Sequence, residues 1–146
     1  LMQGPADEAV SAGAHALFFP HGLGHMLGLD AHDMENLGEA SVGYADDQER
    51  SDQFGLSALR LARPLESGFV VTIEPGCYFI PTLIERWREG DRHSAYINYD
   101  RVDDFVGIGG IRIEDNVLVT DEGTRVLGPG IPKSVEAVEA IAATAG

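Results

Sequence analysis

The sequence predicts an α+β fold, and three observations carry that expectation. FVVTIEPGCYFI, residues 69–80, concentrates β-branched and aromatic residues around a Pro-Gly turn and reads as a strand. GGIRIEDNVLVTDEG, residues 109–123, alternates apolar and polar positions, the period of a half-buried strand. Alanine- and glutamate-containing helical segments stand at both ends of the chain. Helices and strands interleave, but no short loop reveals which strands pair, so the topology stays open at this level.

Taken in order, residues 5–18 read as a helix, with Pro5 early, Asp7 and Glu8 in the first turn and alanines throughout. The segment HGLGHMLGLDAHD, residues 21–33, follows. His21 and His25 are four apart, as in the zinc motif H-E-x-x-H, but Gly22 stands where the glutamate would be. Gly22 and Gly24 would each cost a helix about 1 kcal/mol relative to Ala, so the segment is expected to be extended. Alternation then puts His21, Leu23 and His25 on one face and the two glycines on the other. Residues 35–49 are polar and read as a loop, and residues 53–65 as part helical with a stop at Pro64. Residues 83–93 form a charged surface helix ending near Gly90. In residues 109–123, Ile111, Ile113, Val117 and Val119 share one alternation if a turn or bulge at Asp115–Asn116 keeps register. Residues 132–144 close as a helix capped by Ser134.

At 146 residues, 44% hydrophobic and 23% charged, the chain fits one ordinary globular domain. No apolar run reaches the ~18 residues of a membrane span. The start, LMQGPADEAV, has neither the basic nor the apolar region of a signal peptide, and its lack of an initial Met suggests a fragment. Cys77 is the only cysteine, which excludes an intramolecular disulfide and suits a reducing, cytoplasmic setting. A net charge of -14 argues against nucleic acid or an anionic membrane as partner.

Two carboxylates stand inside hydrophobic strands. Glu74 follows Val-Val-Thr-Ile, and Glu114 sits in Ile-Arg-Ile-Glu-Asp. A buried carboxylate is costly unless it is paired or bound to a cation. Glu114 has a structural alternative in a salt bridge to Arg112, and Glu74 in capping the turn at Pro75–Gly76. Together with His25 they make a mixed nitrogen and oxygen donor set suited to Mn(II), Co(II) or Zn(II). His15 and His93 read as surface residues, and Cys77 as a packed small side chain.

HGLGHMLGLDAHD, TIEPG and GIRIEDN, in this order, resemble the C-terminal half of the pita-bread (M24-type) metallopeptidases. The resemblance covers nearly the whole chain and points to the branch of Xaa-Pro dipeptidases (prolidases) and aminopeptidase P. It implies a curved antiparallel sheet with covering helices, and a hydrolase that cleaves Xaa-Pro dipeptides by metal-bound hydroxide. By position it makes His25, Glu74 and Glu114 metal ligands, with Glu114 bridging two ions and Glu74 also a proton shuttle. His21 and His32 fall on the substrate side, as catalytic and substrate-positioning groups. Arg60 matches the arginine that grips a dipeptide's free carboxylate, and Arg112 orients Glu114 or its neighbours. Two divalent ions are implied, Mn first and Co or Zn as alternatives.

The family pattern also has two aspartate ligands on an earlier strand, in a motif of the form D-x-G…D, and no such pair precedes His25. Residues 1–146 are therefore expected to be the C-terminal part of the catalytic domain. Alone they would bind at most one ion weakly and be inactive, and they would pair with the missing N-terminal part or self-associate. A homodimer is the expected assembly. Two other readings stand beside this one: an aminopeptidase P acting on longer Xaa-Pro peptides, and a non-catalytic pita-bread binding module.

Overall fold

The computed structural model describes residues 1–144. Five strands organise the chain around the site: β1 (Val70–Ile73), β2 (Gly76–Tyr78), β3 (Gly110–Arg112), β4 (Asp115–Thr120) and β5 (Gly123–Val126). All pairings among them are antiparallel, in the orders β1-β4-β5 and β2-β3. The apolar run 69–80 is thus two strands, divided at Glu74–Pro75, where proline has no amide hydrogen to give a ladder. The 109–123 segment divides as well, at Ile113–Glu114, before the expected bulge at Asp115–Asn116. The alternation does not survive this break: Val117 is buried, whereas Ile111 is exposed.

Both breaks lie at one level. Counting on from Ile73↔Asp115 puts Glu74 opposite Glu114 and Pro75 opposite Ile113, and counting back from Gly76↔Arg112 lands on the same pairs. The Ile113 amide still donates to the Pro75 carbonyl at 3.1 Å, so one long antiparallel pair runs through the interruption.

On the other side of β1, residues 23–27 run antiparallel to it, as their extended reading predicted. Leu27 N donates to Val70 O at 2.9 Å, Thr72 N to His25 O at 2.9 Å and Glu74 N to Leu23 O at 2.7 Å. Gly24 permits this approach, because a Cβ there would collide with the Thr72 carbonyl oxygen.

The helices pack away from this ladder. α1 spans Ala6–Ala12, shorter than the 5–18 expected, because Gly13 adopts a left-handed φ of 86° and a 3-10 turn, Ala14–Leu17, follows. The polar stretch 35–49 is not all loop: it contains a 3-10 turn, Glu35–Leu37, and the short α2, Glu39–Gly43. Residues 53–65 hold turns and no helix, since Ala62 bridges to Tyr44 and its amide reaches Gly43 O at 2.7 Å, drawing the chain out. α3 (Pro81–Glu89) starts with Pro81 in its first turn and buries Ile84 and Trp87, three apart, on one face. Those two residues join Leu17, Phe18, Phe79, Ile97 and Val102 in the main core. α4 (Tyr99–Val102) is capped by Asn98, and α5 (Val135–Thr144) by Ser134, whose Oγ accepts from Ala137 N at 3.2 Å.

Three side chains differ from their sequence reading. Cys77 is exposed on β2. His15 is partly covered, with Nδ1 buried and without a partner among the described residues. His93 is also partly covered, its ring 5.3 Å from that of Trp87.

Candidate metal centre

The interrupted strand pair delivers the central carboxylates. His25, Glu74 and Glu114 each offer a ligand atom, and these atoms lie within 4.8 Å of one another. His25 and Glu74 are 8% and 7% exposed, so each needs a partner for its polar atoms. Glu114 differs from expectation: it is exposed, at the break rather than inside a strand. Like charges directly opposite one another destabilise a strand pair, and a cation between Glu74 and Glu114 would reverse that sign.

Hydrogen bonding fixes how His25 faces this point. Its Nδ1 lies 2.9 Å from the Met26 carbonyl, which can only accept, so Nδ1 carries the hydrogen. The Nε2 lone pair then faces Glu74 Oε1 at 3.2 Å. Two electron-rich atoms at that distance require a proton or a metal ion between them. An imidazole that donates from one nitrogen to a backbone carbonyl and offers the other outward is the arrangement of a metal-ligating histidine. The donor set therefore fits a divalent cation of the Mn, Co or Zn type.

Glu74 is held on both oxygens. Thr72 Oγ1 accepts from His25 N at 3.0 Å and donates to Glu74 Oε1 at 3.1 Å, tying two ligands together. Glu74 Oε2 receives Arg112 Nη1 at 2.8 Å. Arg112 thus ion-pairs with Glu74 rather than with its strand neighbour Glu114. Its Nε also donates to the Tyr78 hydroxyl at 2.6 Å. That bond, helped by the charges of Glu74 and Glu114, raises the Arg112 pKa above its ordinary value despite partial burial. His21 Nδ1 donates to Gly22 O at 2.7 Å, which leaves Nε2 to accept from Tyr78 at 3.1 Å and from Arg112 Nη2 at 3.2 Å.

An open pocket of about 190 Å3 is lined by His21, His25, His32, Arg60, Glu74 and Arg112, so six of the seven residues singled out in the sequence converge there. Glu114 lines a different depression, with Asp115 and Asn116. His32 stands edge-on to His25 with ring centroids 4.5 Å apart. Arg60 sits on the loop after the 53–58 turns, its Nε 2.5 Å from Glu35 Oε1. Sequence reasoning missed Thr72, Tyr78 and Glu35. Tyr78 had a signal, an aromatic hydroxyl four residues past Glu74, whereas Glu35 lay in a polar stretch read as solvated loop.

The profile of metallopeptidase family M24 matches residues 4–121. The chain belongs to that family. Among M24 relatives, human Xaa-Pro dipeptidase is 41% identical over 140 residues, covering 96% of this chain and 27% of its own length. The Xaa-Pro dipeptidase of Xanthomonas campestris pv. campestris (strain B100) is 48% identical over 115 residues, covering 79% and 25%. Escherichia coli aminopeptidase P with the inhibitor Pro-Leu superposes with a TM-score of 0.60 at 33% identity, over 98% of this chain and 24% of that one. The chain thus spans about a quarter of the length of the curated relatives it matches. The fold is α+β, of the pita-bread type expected, and M24 enzymes are dinuclear metalloenzymes.

Proposed function

We propose that this chain forms the C-terminal part of the catalytic domain of a metal-dependent peptidase that hydrolyses Xaa-Pro dipeptides. The observation that carries the proposal is the convergence of His25 Nε2, Glu74 and Glu114 at the one level where both strands break. A divalent cation held there supplies Lewis acidity toward a peptide carbonyl and acidifies water. Mn(II) is the first choice of metal, with Co(II) or Zn(II) as alternatives. His25, Glu74 and Glu114 are the one such group among the described residues, so a second ion bridged by Glu114 would take its remaining ligands from outside them.

The chain's own groups have separable tasks. Glu74, fixed by Thr72 and Arg112, orients one carboxylate oxygen and is the group placed to relay a proton. His21 and His32 flank the pocket on the substrate side. Arg60 lines the same pocket, and its guanidinium suits the free carboxylate of a dipeptide. Release of the first residue from longer Xaa-Pro peptides is the second reading, favoured by the structural likeness to aminopeptidase P.

The deciding measurement is a calorimetric Mn(II) titration of this chain beside His25→Ala. One ion, bound weakly and lost in the variant, is the expected result, and two tightly bound ions would overturn the ligand count. Comparing Ala-Pro with Ala-Pro-Ala as substrates of the metal-loaded full-length protein separates the two readings.

A further inference from the structure

We propose that Glu35 is a positioning residue that sets the substrate-side groups Arg60 and His32 with its two carboxylate oxygens. The inference rests on the dipeptidase reading above. Glu35 Oε1 takes Arg60 Nε at 2.5 Å, while Oε2 lies 3.6 Å from His32 Nδ1. One side chain thus contacts both Arg60 and His32, which line the pocket together with His25.

The geometry leaves Arg60 ready for a ligand. Its Nε edge is taken by Glu35, while Nη1 and Nη2 make no hydrogen bond among the described residues. A guanidinium binds a carboxylate by two parallel bonds, and the Nη1/Nη2 edge is the one that remains for this. Glu39 lies 3.8 Å from Arg60 Nε but takes its short contact from Arg50 Nη2 at 2.7 Å. Arg50 thus takes up the charge of Glu39 and leaves Glu35 as the close partner of Arg60, with Asp33 lining the same small pocket.

The backbone before Glu35 is also unusual. Met34 holds a left-handed φ of 56°, a conformation that side chains other than glycine seldom adopt. That turn precedes the 3-10 segment Glu35–Leu37, and Glu35 lines a small pocket together with His25 and Arg60.

Two measurements test the proposal. In the metal-loaded full-length protein, Glu35→Ala should raise KM for Ala-Pro about tenfold, the loss of one charge-assisted hydrogen bond, with kcat much less affected. KM for Ala-Pro amide, which lacks the terminal carboxylate, should stay within about twofold of wild type. Glu35→Gln keeps an acceptor for Arg60 Nε and should restore most of the dipeptide affinity. A merely structural role would raise KM for both substrates alike and would not be rescued by Gln. An unchanged or lowered KM for Ala-Pro in Glu35→Ala overturns the proposal. In the 146-residue chain, the Arg60 Nε–H resonance in a nitrogen-proton NMR spectrum should be protected in wild type and Glu35→Gln and lost in Glu35→Ala. If wild type cleaves no Xaa-Pro dipeptide, the peptidase reading falls by itself. The NMR signal then decides Glu35 alone, and its persistence in Glu35→Ala overturns the hold on Arg60.

Discussion

The centre is governed at the residue scale by who holds Glu74. Thr72 and Arg112 each fix one of its oxygens, and Tyr78 in turn fixes Arg112. Tyr78→Phe removes the hydroxyl that accepts from Arg112 and donates to His21. Supporting groups of this kind are worth tenfold or more in metal affinity, so we expect Mn(II) binding to weaken about tenfold, read by calorimetry, with the circular dichroism spectrum unchanged. Unaltered affinity would mean that Arg112 holds Glu74 without help. His93 illustrates a second residue-scale effect, far from the centre. Burial against Trp87, then the charge of Arg92, lowers its pKa below the ordinary value of 6.5. As the pH falls, the unfolded chain therefore takes up this proton before the folded one does. Its contribution is present above the unfolded pKa and is lost as pH falls through the folded value. His93→Asn keeps a residue that tolerates φ 55° and should lose less stability than wild type between about pH 7.5 and about pH 5, measured by urea unfolding.

At the scale of the element, the decisive contact is residues 23–27 against β1. Gly24→Ala places a methyl group on the Thr72 carbonyl, so the segment must move off the strand. We expect a loss of about 1–3 kcal/mol by urea titration, together with weaker metal binding because His25 moves too. A stability loss without any change in metal affinity would show that His25 is held from elsewhere. α3 gives the contrasting case. Trp87 is 3% exposed and packs against Phe54 with centroids 5.8 Å apart. Trp87→Ala should cost about 3–5 kcal/mol, and any folded remainder should still bind Mn(II) as wild type does.

For the molecule as a whole, much apolar surface has no cover among the described residues. Ile108, Ile111, Val126, Val135, Val138 and Ile141 are all about half exposed or more, and α5 buries no residue. A surface of that kind favours association. The chain should therefore self-associate as concentration rises in sedimentation velocity, and more so in high salt, where the repulsion of its -14 charge is screened. Ile111→Lys together with Val126→Lys should shift it toward monomer. A wild-type chain that stays monomeric throughout would show that these residues offer no sticky surface.

The sequence by itself determined the α+β class, the extended histidine segment, the starts of α1 and α5, and, through its resemblance to the family, the six candidate residues that line the pocket. The elements and the two carboxylates were legible because each rests on local chemistry: proline and serine at helix starts, glycines that refuse a helix, and carboxylates too costly to sit unpaired in apolar strands. His21, His32, Arg60 and Arg112 came from the motifs that carry the resemblance. Only the tertiary structure decided which partner each charge takes. Arg112 looked like the mate of Glu114, two residues away, yet it pairs with Glu74 across the strands. Residues 53–65 looked part helical but fold into turns followed by the bridge of Ala62 to Tyr44, and Glu35 looked solvated yet takes Arg60 Nε at 2.5 Å. The alignment of Glu74 with Glu114 was beyond any local pattern, because strand register is fixed by pairing between segments some forty residues apart. Chemistry that lives in one residue can be read along the chain, and chemistry that lives between residues waits for the fold.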